Sequence, residues 1–380
     1  MKLIRNKKAY WYKVVLVALM LFLIMPADIL LAEQSDDQGL ELNEAVNLAL
    51  QNSESVKKAV KEISRTNELR NYAGSMLEFV PIGHIGNPAV EMAYSNALSS
   101  ELTYQISRKS LTAEEDTVIL DTCKRYWAVL KAQEKLKAAE AEIEAVQCQL
   151  QNSRVAEQVG VSLAPNLSPR QLSMASEAQY SGAQASLESA RNELEKAYNS
   201  LNKAIGSNTK EKPILKDTLI YEPYELKDIN HAVNRALSQS PLIWQAEQTV
   251  NMKDLLKDIV IYSSAGQYQP AEARRLEVEQ AQLDVSSTKK LLEEAVRSIY
   301  YQIRGMEEMY TGAMEALKVA EENLRVKKIM CEVGMATKAE VKAEEQKLAD
   351  AQYQISELIY NHSYLKLACE KPWAAQLGSL

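Results

Sequence analysis

Ala45-Val46-Asn47-Leu48-Ala49-Leu50-Gln51-Asn52-Ser53 returns as Ala232-Val233-Asn234-Arg235-Ala236-Leu237-Ser238-Gln239-Ser240, 187 positions on (232 minus 45). Working outward, Tyr126-Trp127 answers Tyr300-Tyr301, Leu150 answers Leu324, and Val159-Gly160 answers Val333-Gly334, at an offset of 174 (334 minus 160). Past those glycines, Ala178-Gln179-Tyr180 matches Ala351-Gln352-Tyr353. The pattern reads as two tandem repeats, which must be recognised before any other feature because missing a repeat miscalls the fold.

Each copy has the periodicity of a long helical hairpin. Leu42, Ala45, Val46, Ala49 and Leu50 fall at helical spacing, and a second helix runs from about Glu54 to Tyr72. Pro81, Gly83, Gly86 and Pro88 then break the pattern. From Leu111 to Gln158 there is neither proline nor glycine, and Val118, Cys123, Tyr126, Val129, Leu130, Leu136, Ile143, Val146, Leu150 and Val155 form one stripe. Gly160 to Pro169 turns the chain, and Leu172 to Ile205 returns. The second copy repeats this with opening helices over His231–Ile261, a long helix over Ala271–Glu332, a turn at Gly334 and a return over Ala339–Cys369. Between the opening and long helices of the first copy, Leu102-Thr103-Tyr104-Gln105-Ile106-Ser107 alternates as a strand would. Val90, Tyr94, Ala97, Leu98, Leu102 and Ile106 also lie on one helix face, and helix is the favoured reading. The fold class expected is all-α, with long antiparallel, coiled-coil-like hairpins.

Composition agrees. Twelve Gly, 10 Pro and only 2 Phe in 380 residues is the profile of long helices rather than of a sheet-based enzyme. Lys2, Arg5, Lys7, Lys8 and Lys13 precede an apolar run from Val14 to Met25, and Ile29-Leu30-Leu31-Ala32 offers a cleavage site. Residues 1–32 therefore read as a secretory signal peptide, with a retained anchor as the other reading, and the chain is expected to be exported to the cell envelope. Without that segment the formal charge moves from −7 to about −11, which argues against a nucleic-acid partner. The domains expected after the signal are a first repeat over 40–212, a second over 224–372 and a tail over 373–380.

Catalytic chemistry finds no pattern. His84, His231 and His362 are scattered, and no H-E-x-x-H, nucleophile-elbow or phosphate-loop motif occurs. No catalytic residue, metal ligand or cofactor is expected. Glu321-Glu322 and Glu344-Glu345 are neighbours on different helix faces and read as solvated. Tyr126, Trp127, Tyr300 and Tyr301 read as a packing layer. Gly305 and Gly312 inside the second long helix suit a close helix approach. Cys123, Cys148, Cys331 and Cys369 lack metal-site spacing. Counted from the two turn glycines, Cys123 and Cys369 stand at similar heights, so either that pair meets or all four are isolated buried thiols.

Opening helix, break, long helix, glycine turn and return, all twice, resembles the TolC family of outer-membrane efflux proteins. The resemblance runs from Leu40 to about Pro372 and includes the opening Leu-x-Leu-x-Glu-Ala-Val-x-x-Ala-Leu-x-x-Ser over Leu40–Ser53. Val159-Gly160-Val161-Ser162 and Val333-Gly334-Met335-Ala336-Thr337 look like that family's two tip motifs. It implies a homotrimer whose twelve long helices form a hollow α-barrel. It further implies tips that dock a hexameric periplasmic adaptor (membrane fusion) protein linked to an inner-membrane pump. Glu340 sits where the family places an acidic constriction, whereas Ala343, Ala336 and Asn166 replace a second acid and a latch pair. A family barrel takes two strands per copy, each of about 9–11 residues. Tyr262–Pro270 is too short for two, so little or no β-barrel is expected and membrane association stays open. The alternative function is a non-channel helical scaffold or spacer of the envelope.

Overall fold

The computed structural model describes residues 39–77, 87–161, 167–218, 220–225, 228–263 and 265–375. The expected signal segment, Ser162, Asn166 and the last five residues of the tail lie outside them. The chain divides into two units. In the smaller, Leu40 pairs in parallel with Leu215, its N–H donating to the Ile214 carbonyl at 2.7 Å and its carbonyl accepting from Lys216 at 3.2 Å.

The larger unit contains eight helices among the described residues: α1 (Leu42–Asn52), α2 (Glu54–Ser75), α3 (Pro88–Val159), α4 (Pro169–Ile205), α5 (Ile229–Gln239), α6 (Pro241–Lys257), α7 (Ala271–Glu332) and α8 (Lys338–Glu370). Their starts are written locally. Ser53, Asn87, Ser168, Asp228, Ser240 and Thr337 each accept a backbone N–H as N-caps, and Pro88, Pro169 and Pro241 occupy first-turn positions where a missing N–H costs nothing.

The first long helix begins at Pro88, not at the expected Leu111, and runs 72 residues, about 110 Å. The strand-like alternation over Leu102–Ser107 lies inside it. The stretch is helical, as favoured, and packs on α2: Ser107 meets Thr66 hydroxyl to hydroxyl at 2.8 Å, and Arg70 lies 4.3 Å over the Tyr104 ring. Only 12 residues (76–87) join α2 to α3, and 13 (258–270) join α6 to α7. The second connection makes one isolated bridge, Tyr262 with Tyr268. Neither length admits two membrane strands.

The helices form rows. Toward the turn glycines the order is α4, α3, α8, α7; toward the other end it is α2, α3, α6, α7. Helix α3 thus has neighbours on two sides throughout, whereas α7 is an edge along its whole length. The seam of α3 with α4 is built from small buried residues, Ala145, Ser153 and Ala156 against Ser173, Ser176 and Ala183. Small side chains let two long helices approach closely and keep contact over many turns. A larger core around Leu120, Ile299, Ile303, Leu365, Ala368 and Cys369 joins α3, α7 and α8.

The two turns are not level. Lys342 pairs with Glu144 at 2.7 Å; Glu144 is 16 residues from Gly160, whereas Lys342 is 8 from Gly334. The pairs Lys131–Glu357 and Lys371–Asp116 give the same offset within two residues. The first hairpin therefore extends beyond the second by about 10 Å. That stagger overturns the height comparison of Cys123 with Cys369. All four cysteines are free; Cys123 and Cys369 are buried, while Cys148 and Cys331 are partly exposed, contrary to a set of four buried thiols. Burial pushes the Cys123 thiol up to about 11 and raises that of Cys369, so both are unreactive.

Candidate functional site

Two regions stand out, the hairpin turns and the open edges of the helix row. At the first turn Gly160 has φ +74, ending α3 in the left-handed region, and the Val161 N–H donates to the Ala156 carbonyl at 3.0 Å. Gly334 has φ +75, and the N–H groups of Met335 and Ala336 return to the Met330 carbonyl at 2.8 and 3.2 Å. Glycine is the residue that takes this conformation without a Cβ penalty. Around these turns Val159, Val161, Val333 and Met335 are exposed. Four bare apolar side chains beside left-handed glycine caps are suited to contact.

Glu340 has a local task that the sequence reading did not assign. Its carboxylate accepts from the Thr337 N–H at 2.7 Å and from the Thr337 hydroxyl at 3.1 Å, while the Thr337 hydroxyl accepts the Glu340 N–H at 3.2 Å. This reciprocal capping box closes the start of α8. The Thr337 N–H, its hydroxyl and Lys327 at 3.6 Å hold the Glu340 carboxyl below its ordinary range, so it is anionic at neutral pH.

The edge of α7 is an extended unpartnered surface. Leu276, Leu283, Leu291, Tyr301, Met309, Val319, Val326 and Val333 are all exposed, with Leu283 at 71 % and Val319 at 60 %. At 100° per residue they cluster on one face, opposite the one that buries Val278, Leu292, Val296, Ile299 and Ile303. Gly305 and Gly312 lie on the same open face, where nothing within the chain would touch an added Cβ. Tyr301 belongs to it as well. The expected packing layer therefore holds for buried Tyr126 and Trp127 and half-buried Tyr300, but not for Tyr301, which is 64 % exposed. Across the row, α4 turns Ala178, Ser181, Ala185, Ser189 and Asn192 away from α3. One edge thus carries large apolar side chains and the other, apart from exposed Met174, mostly small ones.

Between these regions a strap carrying Tyr221 and Tyr224 is held down by a polar cluster. The Tyr224 N–H donates to the Glu307 carboxylate at 2.7 Å, the Tyr221 ring stacks on Tyr310 at 3.7 Å, and His362 lies 5.2 Å from Tyr221. His362 is buried, with Nε2 3.5 Å from Glu307, long for a hydrogen bond. Burial lowers its pKa, against the opposing pull of Glu307. Asp116 accepts from Lys371 Nζ at 2.5 Å and from the Trp373 indole at 2.9 Å, clasping the end of α8 to α3. Among the described residues no group of three or more His, Cys, Asp or Glu side chains converges as a metal site, and no helix is long and apolar enough to cross a membrane.

No protein-family model matches the chain, and no curated protein is detectably similar to it in sequence. Solved structures are similar in fold. The Campylobacter jejuni CmeC outer membrane channel superposes with a TM-score of 0.67 at 13 % identity, over 88 % of this chain and 85 % of that one. The open state of the Neisseria gonorrhoeae MtrE outer membrane channel gives 0.62 at 13 %, over 88 % and 89 %. The Vibrio cholerae outer membrane protein VceC gives 0.61 at 12 %, over 88 % and 96 %. At such low identity it is the backbone that is shared, and on that ground the chain has the helical fold of TolC-like outer-membrane channels.

Proposed function

We propose that this protein is the helical conduit of an envelope efflux or secretion assembly. Three copies close into a twelve-helix tube, and the turns at Gly160 and Gly334 meet a periplasmic adaptor that leads to an inner-membrane pump. The observation that carries the reading is the open edge of α7. A single chain leaves seven large apolar side chains bare along one face of a 62-residue helix, with Val333 bare just beyond its end. Monomeric proteins rarely expose so extended an apolar surface, and a row with two unlike edges, repeated by rotation, closes into a ring. The small-residue edge of α4 fits the large-residue edge of α7 in the next copy, as knobs fit holes.

In that tube Val159, Gly160, Val161 and Ser162, with Val333, Gly334, Met335, Ala336 and Thr337, form the docking end. Glu340 places an anion close to it, and three such carboxylates around one axis would favour cations at the narrow end. The export expected from residues 1–32 puts the tube in the cell envelope. The fold shared with outer membrane channels supports transport, and sedimentation tests the assembly: the conduit requires a trimer, and an extended monomer at micromolar concentration would overturn it. A non-channel helical spacer is the second reading, favoured by the 12- and 13-residue connections, neither of which has room for two barrel strands. Transport of a reporter solute by cells with and without the gene separates the two.

A further inference from the structure

At the end remote from the glycine turns the four-helix row has its own unlike edges. Arg70 approaches Glu101 at 3.8 Å, joining α2 to α3; Ser99 meets Met252 at 3.8 Å, joining α3 to α6; Lys289 pairs with Glu247 at 2.6 Å, joining α6 to α7. Helix α2 is therefore one edge and α7 the other. Followed across the row, these contacts bring the last two turns of α2 level with the first turns of α7. Both are apolar and bare at that level: Leu69, Tyr72 and Met76 on α2, Leu276 and Leu283 on α7. Residues 88–110, which a membrane barrel would need as strands, are instead the helical turns that hold this row together.

We propose that this end is closed by a second copy of the chain, with Tyr72 and Met76 of one protomer packed against Leu276 and Leu283 of the next. Twelve helix segments then make a collar in the place where a barrel would stand. The inference rests on the trimeric reading above and extends it to the opposite end of the tube. Lipid is a poorer occupant. This end of the row carries exposed ion pairs, Arg275 with Glu272 at 2.7 Å on α7 and Lys257 with Asp254 at 2.5 Å on α6, and charges of this kind are rare on a hydrocarbon-facing surface. A second copy covers the apolar flanks and leaves those charges in water.

Inter-subunit cross-linking of the full chain tests this. In a background with the partly exposed Cys148 and Cys331 changed to serine, Tyr72→Cys with Leu283→Cys reports the collar, and Asn192→Cys with Val319→Cys reports the lower tube. Each single-cysteine variant serves as control, and a short bis-maleimide as the reagent. Covalent dimers and trimers are expected from both pairs and from neither set of single variants. Cross-linking at the lower pair alone would overturn the collar while leaving the tube in place. If neither pair cross-links in protein whose helicity is unchanged, both readings fall.

Discussion

Ser153 of α3 and Ser176 of α4 face each other hydroxyl to hydroxyl at 2.8 Å, both buried in the seam of the first hairpin. The Ser153 hydroxyl also lies 3.0 Å from the Gln149 carbonyl, so the pair is satisfied and sets the register of two very long helices. Changing Ser153 to leucine forces extra carbons into a seam made for small residues and should cost about 1–3 kcal/mol. Losing both hydroxyls in S153A/S176A should cost less than the two single changes added together, because no buried partner is left unsatisfied. Thermal unfolding followed by circular dichroism reads both effects.

A second prediction separates folding from assembly. Val319→Glu and Met309→Glu alter side chains exposed in one chain, so helicity and monomer stability should stay within about 0.5 kcal/mol. If α7 is an inter-subunit edge, the same changes bury charge against a neighbour and should shift the sedimentation profile from trimer toward monomer. An unchanged trimer would remove α7 from the interface.

The turn at Gly334 allows a third. Any side chain there sits at φ +75, and Gly334→Val should destabilise the second hairpin by about 1–2 kcal/mol even though open space surrounds the position. Thr337→Ala tests the neighbouring cap without touching the turn. It removes the hydroxyl that bonds Glu340, so the Glu340 carboxyl should titrate closer to its ordinary 4.5. A carbon-detected NMR titration of Glu340 gives the answer.

Acid should loosen the strap that crosses α7 and α8. Burial depresses His362 below its ordinary 6.5, so folding favours the neutral ring and stability falls as pH drops through and below that value. Glu307, held down by the Tyr224 N–H and Arg304 against the upward pull of burial, loses its contribution only below about its ordinary 4.5. The wild type should therefore lose stability in two stages. His362→Gln should abolish the first, between pH 6.5 and 4.5, and keep the second. Equilibrium unfolding in urea across that range shows whether the first stage disappears.

The helices were legible because their signals are local. Gly160 and Gly334 and the apolar stripe as far as Leu150 all act within a few turns, although Val155, counted in that stripe, is exposed. The helix face from Val90 to Ile106 outweighed the strand-like alternation of Leu102–Ser107, but that α3 runs unbroken from Pro88 and packs there on Thr66 and Arg70 was not legible. Contacts between elements were the harder part. Nothing near Asp116 announces Lys371 and Trp373, and His362 looked isolated because its partners Glu307 and Tyr221 come from a helix and a strap far upstream. The edge role of Tyr301 was hidden by its likeness to buried Trp127. Matching positions in two similar segments need not have matching neighbours when one segment sits inside a row and the other ends it.

The unequal reach of the two hairpins has a mechanical corollary. A flat object pressed on this end of the molecule touches the crown beside Gly160 first and stops with the crown beside Gly334 still about 10 Å short. Whatever engages both crowns at once must be stepped to match, like a key cut at two depths.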